Sequence, residues 1–474
     1  MAGAFGALGG DASAIKDNPA ALGVFRKSEV SYTLNGLLQN SSAQWTGVNM
    51  SDNLWKLGSN NFSLIFALPT WRSESGASGL LSSNFSFTYN KLKNFDRNIG
   101  IAGGSSNSSM TDYLAYFTDG FITDDLVYVP GKYDPFDIDY IPSLSTLAAN
   151  GGLIAEISPN SKKWESVLGA NERVLPIYSL NESGKIGEYS FAWSGNFNNI
   201  FYLGLSANIQ SINYFSSSTY SEEFSIAGSM FLKNTNSTTG SGVNFNLGAI
   251  VIPTDYLRLG FSLHTPTFYS IKTVTQAYLA YDTAIKATIL SPEYTTDYRL
   301  QTPLQYNLSG AFVFKRKGLI SAEYVYKNNK GMKLADSDGT TDYYKDENGD
   351  VKNMLKDTRT IKIGGEYRMT DNVSLRAGYA NVSASTNDNA VKLLKESTKR
   401  ADTEYFLRNG VNYYTAGFGY REAGWYLDFA YMLRSDSQSY YAYNSTNLES
   451  SRALTPADVK INNNNFVVTL GLRF

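Results

Sequence analysis

The sequence predicts an all-β fold: a single-chain transmembrane antiparallel β-barrel of about fourteen strands, with a small N-terminal hatch in the lumen and long extracellular loops. Three observations predict it. First, the chain ends on a strand. Over residues 466–474, Phe466, Val468, Leu470, Leu472 and Phe474 share one parity, and Val467, Thr469, Gly471 and Arg473 share the other. A period of two with one apolar face is a strand with different surroundings on its two sides. An apolar face toward lipid and a polar face toward a lumen is how a barrel crosses a bilayer, where every backbone group needs a partner within the protein. Second, 34 Tyr and 26 Phe accompany 40 Gly and a net charge of −2, while no run of about 20 apolar residues offers a spanning helix. Mean hydropathy is slightly negative, because alternation hides a lipid-facing surface from an average. The tyrosines suit aromatic girdles at the two interfaces. Third, short and long connections alternate, as tight periplasmic turns and longer external loops do.

The segment ahead of the first strand, AGAFGALGGDASAIKDNPAALGVF, lacks the alternation and is rich in small residues. It is too short for a separate domain and too apolar for a solvated tail, so residues 1–28 are assigned to a hatch folded back into the barrel of residues 29–474. No basic and apolar leader precedes Ala2, and the chain reads as a mature or trimmed form.

Strands are expected at 29–45, 61–70 and 83–104, followed by the longest loop, 105–185. The next are 186–198, 200–215, 228–252, 256–275 and 294–315. The last are 318–328, 357–369, 372–384, 411–421, 424–436 and 463–474. The clearest alternations set Leu203, Leu205, Ala207 and Ile209 against Gly204, Ser206, Asn208 and Gln210, and Trp425, Leu427, Phe429 and Tyr431 against Tyr426, Asp428 and Ala430. Short turns fall at Asn198-Asn199, Pro253-Thr254-Asp255, Lys315-Arg316-Lys317-Gly318, Thr370-Asp371-Asn372 and Glu422-Ala423-Gly424. Besides 105–185, long loops fall at 216–227, 281–293, 329–356, 385–410 and 437–462. With the last strand descending, each short turn is periplasmic and each long loop external.

The motif GA-x-x-A near the start, followed by Asn18-Pro19-Ala20 and this barrel, resembles the FadL/TodX (OMPP1) family of outer-membrane hydrophobic-compound transporters, in particular its Bacteroidetes members. Stretches around Arg258–Pro266, Thr360–Arg368 and Asn94–Arg97 have the same look. The resemblance implies a passive transporter for long-chain fatty acids or related lipids in the outer membrane of a Gram-negative bacterium. Ligand would be captured on external loops, held in a pocket above the hatch, and released sideways at a kinked third strand. Asn18, Pro19 and Ala20 carry over as hatch residues. Proline fixes its own φ and restricts Asn18, which sets a turn there. The implied partners are a hydrophobic small molecule (fatty acid, lipid or hydrocarbon) and outer-membrane lipid, with a monomeric barrel and no cofactor. The alternative is a barrel of this kind acting as a cargo-binding shuttle or protein-secretion component, and a third reading is a general polar porin. A TonB-dependent transporter needs a larger, 22-stranded barrel.

The third strand breaks its pattern. Phe85, Phe87 and Tyr89 share a parity that Leu92 and Phe95 leave, with Lys91, Lys93, Asp96 and Arg97 between. Broken alternation signals a bulge or turn, so Lys91, Leu92, Phe95 and Gly100 are candidates for a lateral exit, against a short hairpin or an extension beyond the membrane. In loop 105–185, Thr111-Asp112 is expected to cap a short helix bearing Met110, Leu114, Phe117 and Phe121. That face would either capture ligand or pack against the loop.

Inward parity on the last strands collects Lys362, Glu366, Arg368, Arg376, Arg421, Asp428, Arg434 and Arg473, placed either to guide a carboxylate or to hold the hatch through ion pairs. His264 has no catalytic motif around it and is assigned to the lumen or a turn, so no enzymatic activity is expected. The acidic stretch from Asp336 to Asp350 has ligand types calcium uses but not the EF-hand spacing, so a solvated loop is the first reading, calcium binding the alternative, and no metal site is assigned. With zero cysteine, disulfides and thiolate sites are excluded, and near-neutral charge gives no footprint for nucleic acid.

Overall fold

In a computed structural model the chain is described except at residues 77, 170, 227, 283–286, 316 and 396–397. Arg316 of the short turn at 315–318, and parts of the expected loops 105–185, 216–227, 281–293 and 385–410, therefore lie outside the described residues.

Fourteen antiparallel strands close into one barrel. They are β1 (Glu29–Trp45), β2 (Val48–Phe66), β3 in two pieces (Leu80–Asn94 and Arg97–Ala102), β4 (Val174–Phe197), β5 (Phe201–Phe224) and β6 (Ser229–Thr254). Then come β7 in two pieces (Leu257–His264 and Phe268–Asp282), β8 in two pieces (Tyr294–Gln301 and Gln305–Phe314), β9 (Gly318–Lys327) and β10 (Thr358–Arg368). The last four are β11 (Val373–Val382), β12 (Tyr405–Arg421), β13 (Trp425–Tyr441) and β14 (Ala457–Arg473). Strand β14 pairs with β1 from Glu29↔Arg473 to Gln44↔Asp458, which removes any free edge there. On its outer face Phe466, Leu470 and Leu472 are exposed, as lipid-facing positions should be. The inner faces carry buried polar side chains such as Asn35, Asn90, Asn208 and Asn307.

Two neighbouring strands break at proline. Pro266 splits β7 and Pro303 splits β8, because neither can donate a ladder hydrogen bond. The gap is bridged by Thr302 N donating to Thr267 O at 3.0 Å and Thr267 N donating to Thr302 Oγ1 at 2.8 Å. The periplasmic turn at Asn198-Asn199 has both residues at positive φ (56° and 58°), the two-residue geometry that suits a twisted hairpin.

Several strands run further than their alternation indicated. Strand β2 begins at Val48 rather than residue 61, β4 at Val174 rather than 186, and β5 and β6 stay paired up to Glu223↔Ser229 where a long loop was expected. Beyond the lipid both faces of a strand meet water, so Ser216, Ser217 and Ser218 keep the ladder but lose the apolar parity.

Over the extracellular mouth, residues 103–169 fold into a dome. It contains helices α1 (Met110–Thr118) and α2 (Ser143–Asn150) and a small hairpin, Ile154–Glu156 with Trp164–Ser166. Its core joins Leu114, Leu144 and Leu147 to Tyr178, Tyr220 and Tyr440 at the upper rim of the barrel. Helix α1 is capped by Ser109, whose side chain accepts from Thr111 N, and not by Thr111-Asp112. The capping serine also donates to the buried Glu222 carboxylate, which accepts from Met110 N at 2.8 Å and Tyr220 OH at 2.6 Å. The stretch expected as a loop around 336–350 is a turn followed by a helix, Lys345–Met354.

Candidate functional site

The N-terminal segment lies against the inner wall of the barrel. Asn18 caps the 3-10 helix Pro19–Val24, with Pro19 in the first turn where a missing N–H costs nothing. Its Oδ1 accepts from Ala20 N at 3.0 Å, and its Nδ2 donates to Gly6 O at 2.7 Å and to Ala249 O on β6 at 3.2 Å. The wall beneath is built from two inward glycines paired across β5 and β6, Gly204↔Gly248. A Cβ on Gly204 would lie 2.3 Å from Pro19 C, and one on Gly248 would lie 2.0 Å from Asn18 Oδ1. Only glycine permits this approach.

Lumenal side chains hold the rest of the segment. Ser262 Oγ donates to Asp17 O at 2.6 Å, and His264 Nε2 lies 2.9 Å from the same oxygen. Arg258 donates to Leu8 O at 2.7 Å. Glu323 accepts from Gly6 N at 3.0 Å and from Lys362 at 2.8 Å, and Lys362 also reaches Gly3 O at 3.3 Å.

The other sequence-picked charges separate into two groups. Arg376 bridges Glu366 and Asp428, both at 2.6 Å, and Arg434 pairs with Asp436 at 2.6 Å, all inside the lumen. Arg368 and Arg421 sit exposed beside the periplasmic turns, with Arg421 5.7 Å from the Tyr426 ring. In the dome, Met110 and Leu114 are fully buried and Phe117 and Phe121 pack against the same core. The apolar face of α1 is therefore turned into the dome and away from solvent.

Strand β3 leaves the barrel wall. Its pairing with β2 runs only from Phe66↔Phe85 to Asn61↔Asn90, whereas β1 pairs with β2 all the way to Trp45↔Val48. Above Asn90 the register with β4 shifts between Lys91 and Lys93, and the strand bends at Phe95-Asp96. Phe95 anchors the bend, its N donating to Gly184 O at 3.0 Å and its ring 4.9 Å from that of Tyr214. The second piece then crosses behind β1. Ser41 Oγ donates to Asn98 O at 2.9 Å, and Gln39 Oε1 accepts from Asn98 N at 2.9 Å, so inward side chains of β1 replace ladder partners for β3. Gly100 packs on the Met50 side chain of β2, whose flexible end would have to shift to admit a Cβ.

The consequence is a gap between β2 and β3. Residues 55–60 of β2 have no β3 partner, although Trp55 and Leu57 on their outer face are exposed and apolar. Lys91 reaches across it, its Nζ lying 2.8 Å from where a Cβ on Gly58 would be. Leu92 is exposed to the lumenal cavity it shares with Glu188 and His264.

Four internal cavities follow β3 inward. One of about 160 Å³ beneath the extracellular segment of residues 399–404 touches Arg97, and one of about 210 Å³ at the bend is lined by Lys93, Arg97, Arg408, Arg434 and Asp436. A third of about 360 Å³ touches Leu92, Glu188 and His264, and a fourth of about 310 Å³ lies between Asn90, Lys91 and the N-terminal segment. The first three are lined chiefly by polar and charged side chains, whereas the fourth exposes more apolar than polar surface, with Met1, Phe5, Phe429 and Val467 on its walls. Among the described residues, no three His, Cys, Asp or Glu gather as a metal site. The sequence pattern gave no hint that Arg408 and Asp436, from β12 and β13, meet Lys93 and Arg97. A broken alternation with basic residues at 91, 93 and 97 was the only available signal.

No protein-family model matches the sequence, and no curated protein matches it. Solved structures match along its whole length. A Pseudomonas aeruginosa FadL homologue is 15% identical with a TM-score of 0.52, covering 100% of this chain and 96% of that one. The Pseudomonas putida toluene transporter TodX is 11% identical with a TM-score of 0.51, covering 100% and 98%. The chain thus has the FadL/TodX type of membrane β-barrel, the fold its sequence resemblance implied.

Proposed function

We propose that this barrel is an outer-membrane channel for passive uptake of hydrophobic compounds, in the first place long-chain fatty acids or related lipids, with the N-terminal segment acting as its hatch. Similarity of fold to a FadL homologue and to a toluene transporter supports the reading. The observation that carries it is the end of β2–β3 pairing at Asn61↔Asn90, at the level of the apolar outer residues Trp55 and Leu57. Unpaired backbone facing hydrocarbon costs several kcal/mol per group. A gap there is tolerable where it opens onto a lumenal cavity, and the cavity beside Asn60, Asn90 and Lys91 provides one. Ligand collected at the extracellular side passes along β3 and leaves sideways into the bilayer, while the hatch blocks the straight route.

The chain has no cysteine, so a cross-linking test is clean. In cells lacking their own fatty-acid transporter, a G58C/K91C double variant bridged by a short bis-thiosulfonate reagent should lose oleate uptake and recover it on reduction, while each single variant keeps it. Unchanged uptake in the bridged protein would eliminate lateral exit, and no oleate uptake by the wild type would eliminate the transport reading.

A further inference from the structure

We propose that a polar row on the outer face of β4–β8, just above the lipid-facing band, is the docking surface for the phosphorylated saccharide headgroup of an outer-leaflet glycolipid. The inference depends on the barrel standing in an outer membrane and is independent of what the channel carries.

The wall formed by β4–β8 shows where the hydrocarbon ends. Tyr189↔Ile209↔Val243↔Phe268 pair in line across four strands, and all four side chains are exposed and apolar or aromatic. Side chains at i and i+2 share a face of a strand, so the next outward rungs toward the dome follow from the same registers. The first carries Ser211, Ser241 and Ser270 and ends on Arg299. The second runs Lys185↔Asn213↔Thr239↔Lys272 and ends on Asp297. Every side chain named on these two rungs is exposed. Within about 13 Å along the strands the outer surface changes from apolar to hydroxyl, amide and cation.

The cations on this face are not matched within the protein. The Lys185 Nζ lies 5.6 Å from the Tyr89 ring centroid, and neither Lys185 nor Lys272 makes a side-chain hydrogen bond or ion pair among the described residues. Arg299 attracts the Asp338 carboxylate of a neighbouring loop, and Asp297 is the one carboxylate among the side chains named on the two rungs.

Two features select the partner. The row continues the lipid-facing surface of the same strands, so what meets it from outside is the headgroup of a membrane lipid. Lys185 and Lys272 stand three strand spacings apart, about 14 Å, with Asn213 and Thr239 between them. A headgroup with one phosphate satisfies one lysine. A disaccharide bearing a phosphate at each end satisfies both through charge-assisted hydrogen bonds, while the amide and hydroxyl between them meet sugar hydroxyls. Its acyl chains then run down past Ile209 and Val243.

The test uses the purified full-length barrel and native mass spectrometry, with diphosphoryl lipid A, its dephosphorylated form and phosphatidylglycerol as probes. The diphosphorylated lipid should be held at least tenfold more tightly than the dephosphorylated one. Lys185→Gln with Lys272→Gln should remove most of that preference, and Lys185→Arg with Lys272→Arg should keep it. Asn213→Glu, which sets a carboxylate between the two phosphate positions, should abolish it. Lys317→Gln, in an exposed periplasmic turn, is the control and should leave it unchanged. Heat-shifted migration in gels confirms that each variant is a folded barrel. Equal retention of the two lipid A forms, or a preference that survives loss of both lysines, would overturn the proposal. So would phosphatidylglycerol held as tightly as diphosphoryl lipid A, which would make the row a contact for any anionic lipid with no role for the saccharide.

Discussion

Replacing Gly204 by alanine should loosen the N-terminal segment from the barrel wall. The added Cβ would sit 2.3 Å from Pro19 C, 2.4 Å from Ala20 N and 2.5 Å from Pro19 O. These are backbone atoms, so no change of rotamer relieves the clash. Restoring van der Waals contact requires the segment to retreat by about 1 Å. That retreat carries Asn18 Nδ2 out of reach of Ala249 O, now 3.2 Å away, and Ala20 O out of reach of Ser194 Oγ, now 3.3 Å away. Overpacking costs about 1–3 kcal/mol, and each lost bond about 1 kcal/mol net. A combined cost near 3 kcal/mol corresponds to roughly 100-fold more frequent local opening. Native-state hydrogen exchange reads it directly at the amides of Ala20 and Ala21, which donate to Asn18 Oδ1 and Asn18 O. Gly36→Ala is the control, because a Cβ there meets nothing nearer than Phe466 O at 4.0 Å. If exchange at Ala20 and Ala21 in Gly204→Ala stays within about twofold of that control, the glycine pair is not the seat of the segment and the reasoning fails.

Two further outcomes follow from the charged groups. Arg376→Met leaves Glu366 and Asp428 facing each other without their shared partner; because these side chains are 17–20% exposed, the expected loss is about 2 kcal/mol, below the value for fully buried pairs. Urea unfolding in lipid should show it, and adding Glu366→Gln with Asp428→Asn should recover most of it. In the extracellular segment ahead of β12, burial alone would raise the Asp402 carboxyl, but Lys392 (2.6 Å) and the two-pronged Arg400 (2.8 and 2.6 Å) outweigh burial and hold its pKa well below the usual carboxylate range. A depressed folded pKa gives stability that is complete above the ordinary aspartate value and is lost as pH falls through the depressed one. A spin label at the exposed Leu393 should therefore stay immobile from pH 8 down to about pH 4 and become mobile only in stronger acid, whereas Asp402→Asn should be mobile throughout. Mobility of the wild type near pH 6 would contradict the assignment.

Alternation reports a difference between two solvents, and this explains which parts of the molecule could be read from the sequence. Where lipid lies on one side and a polar lumen on the other, as along Leu203, Leu205 and Ile209 or Phe466, Leu470 and Leu472, the strands and their direction were legible. Above the lipid the same ladder continues through Ser216, Ser217 and Ser218 with water on both faces, and the pattern disappears although the backbone pairing does not. The same rule explains β3. It parts from β2 above Asn90, shifts register between Lys91 and Lys93 and passes behind β1 after Phe95-Asp96, so it no longer has lipid along one face, and Lys91, Lys93 and Arg97 look like a failed strand when they are a displaced one.

The facing half of that site was invisible for a different reason. Arg408 and Asp436 come more than 300 residues later in the chain, and only barrel closure through β14 and β1 brings their strands around to β3. Nothing local in the sequence of β12 or β13 distinguishes Arg408 from Arg368, yet one lines a lumenal cavity and the other is exposed beside a periplasmic turn. The local break in β3 and the global closure of the barrel are thus one structural event seen at two ranges. Bending β3 inward both opens the wall beside Lys91 and carries its basic residues to the arginines that line the opposite side of the cavity. Straightening β3, by removing the register shift at Lys91 and Lys93, would close the gap and disperse the cluster together.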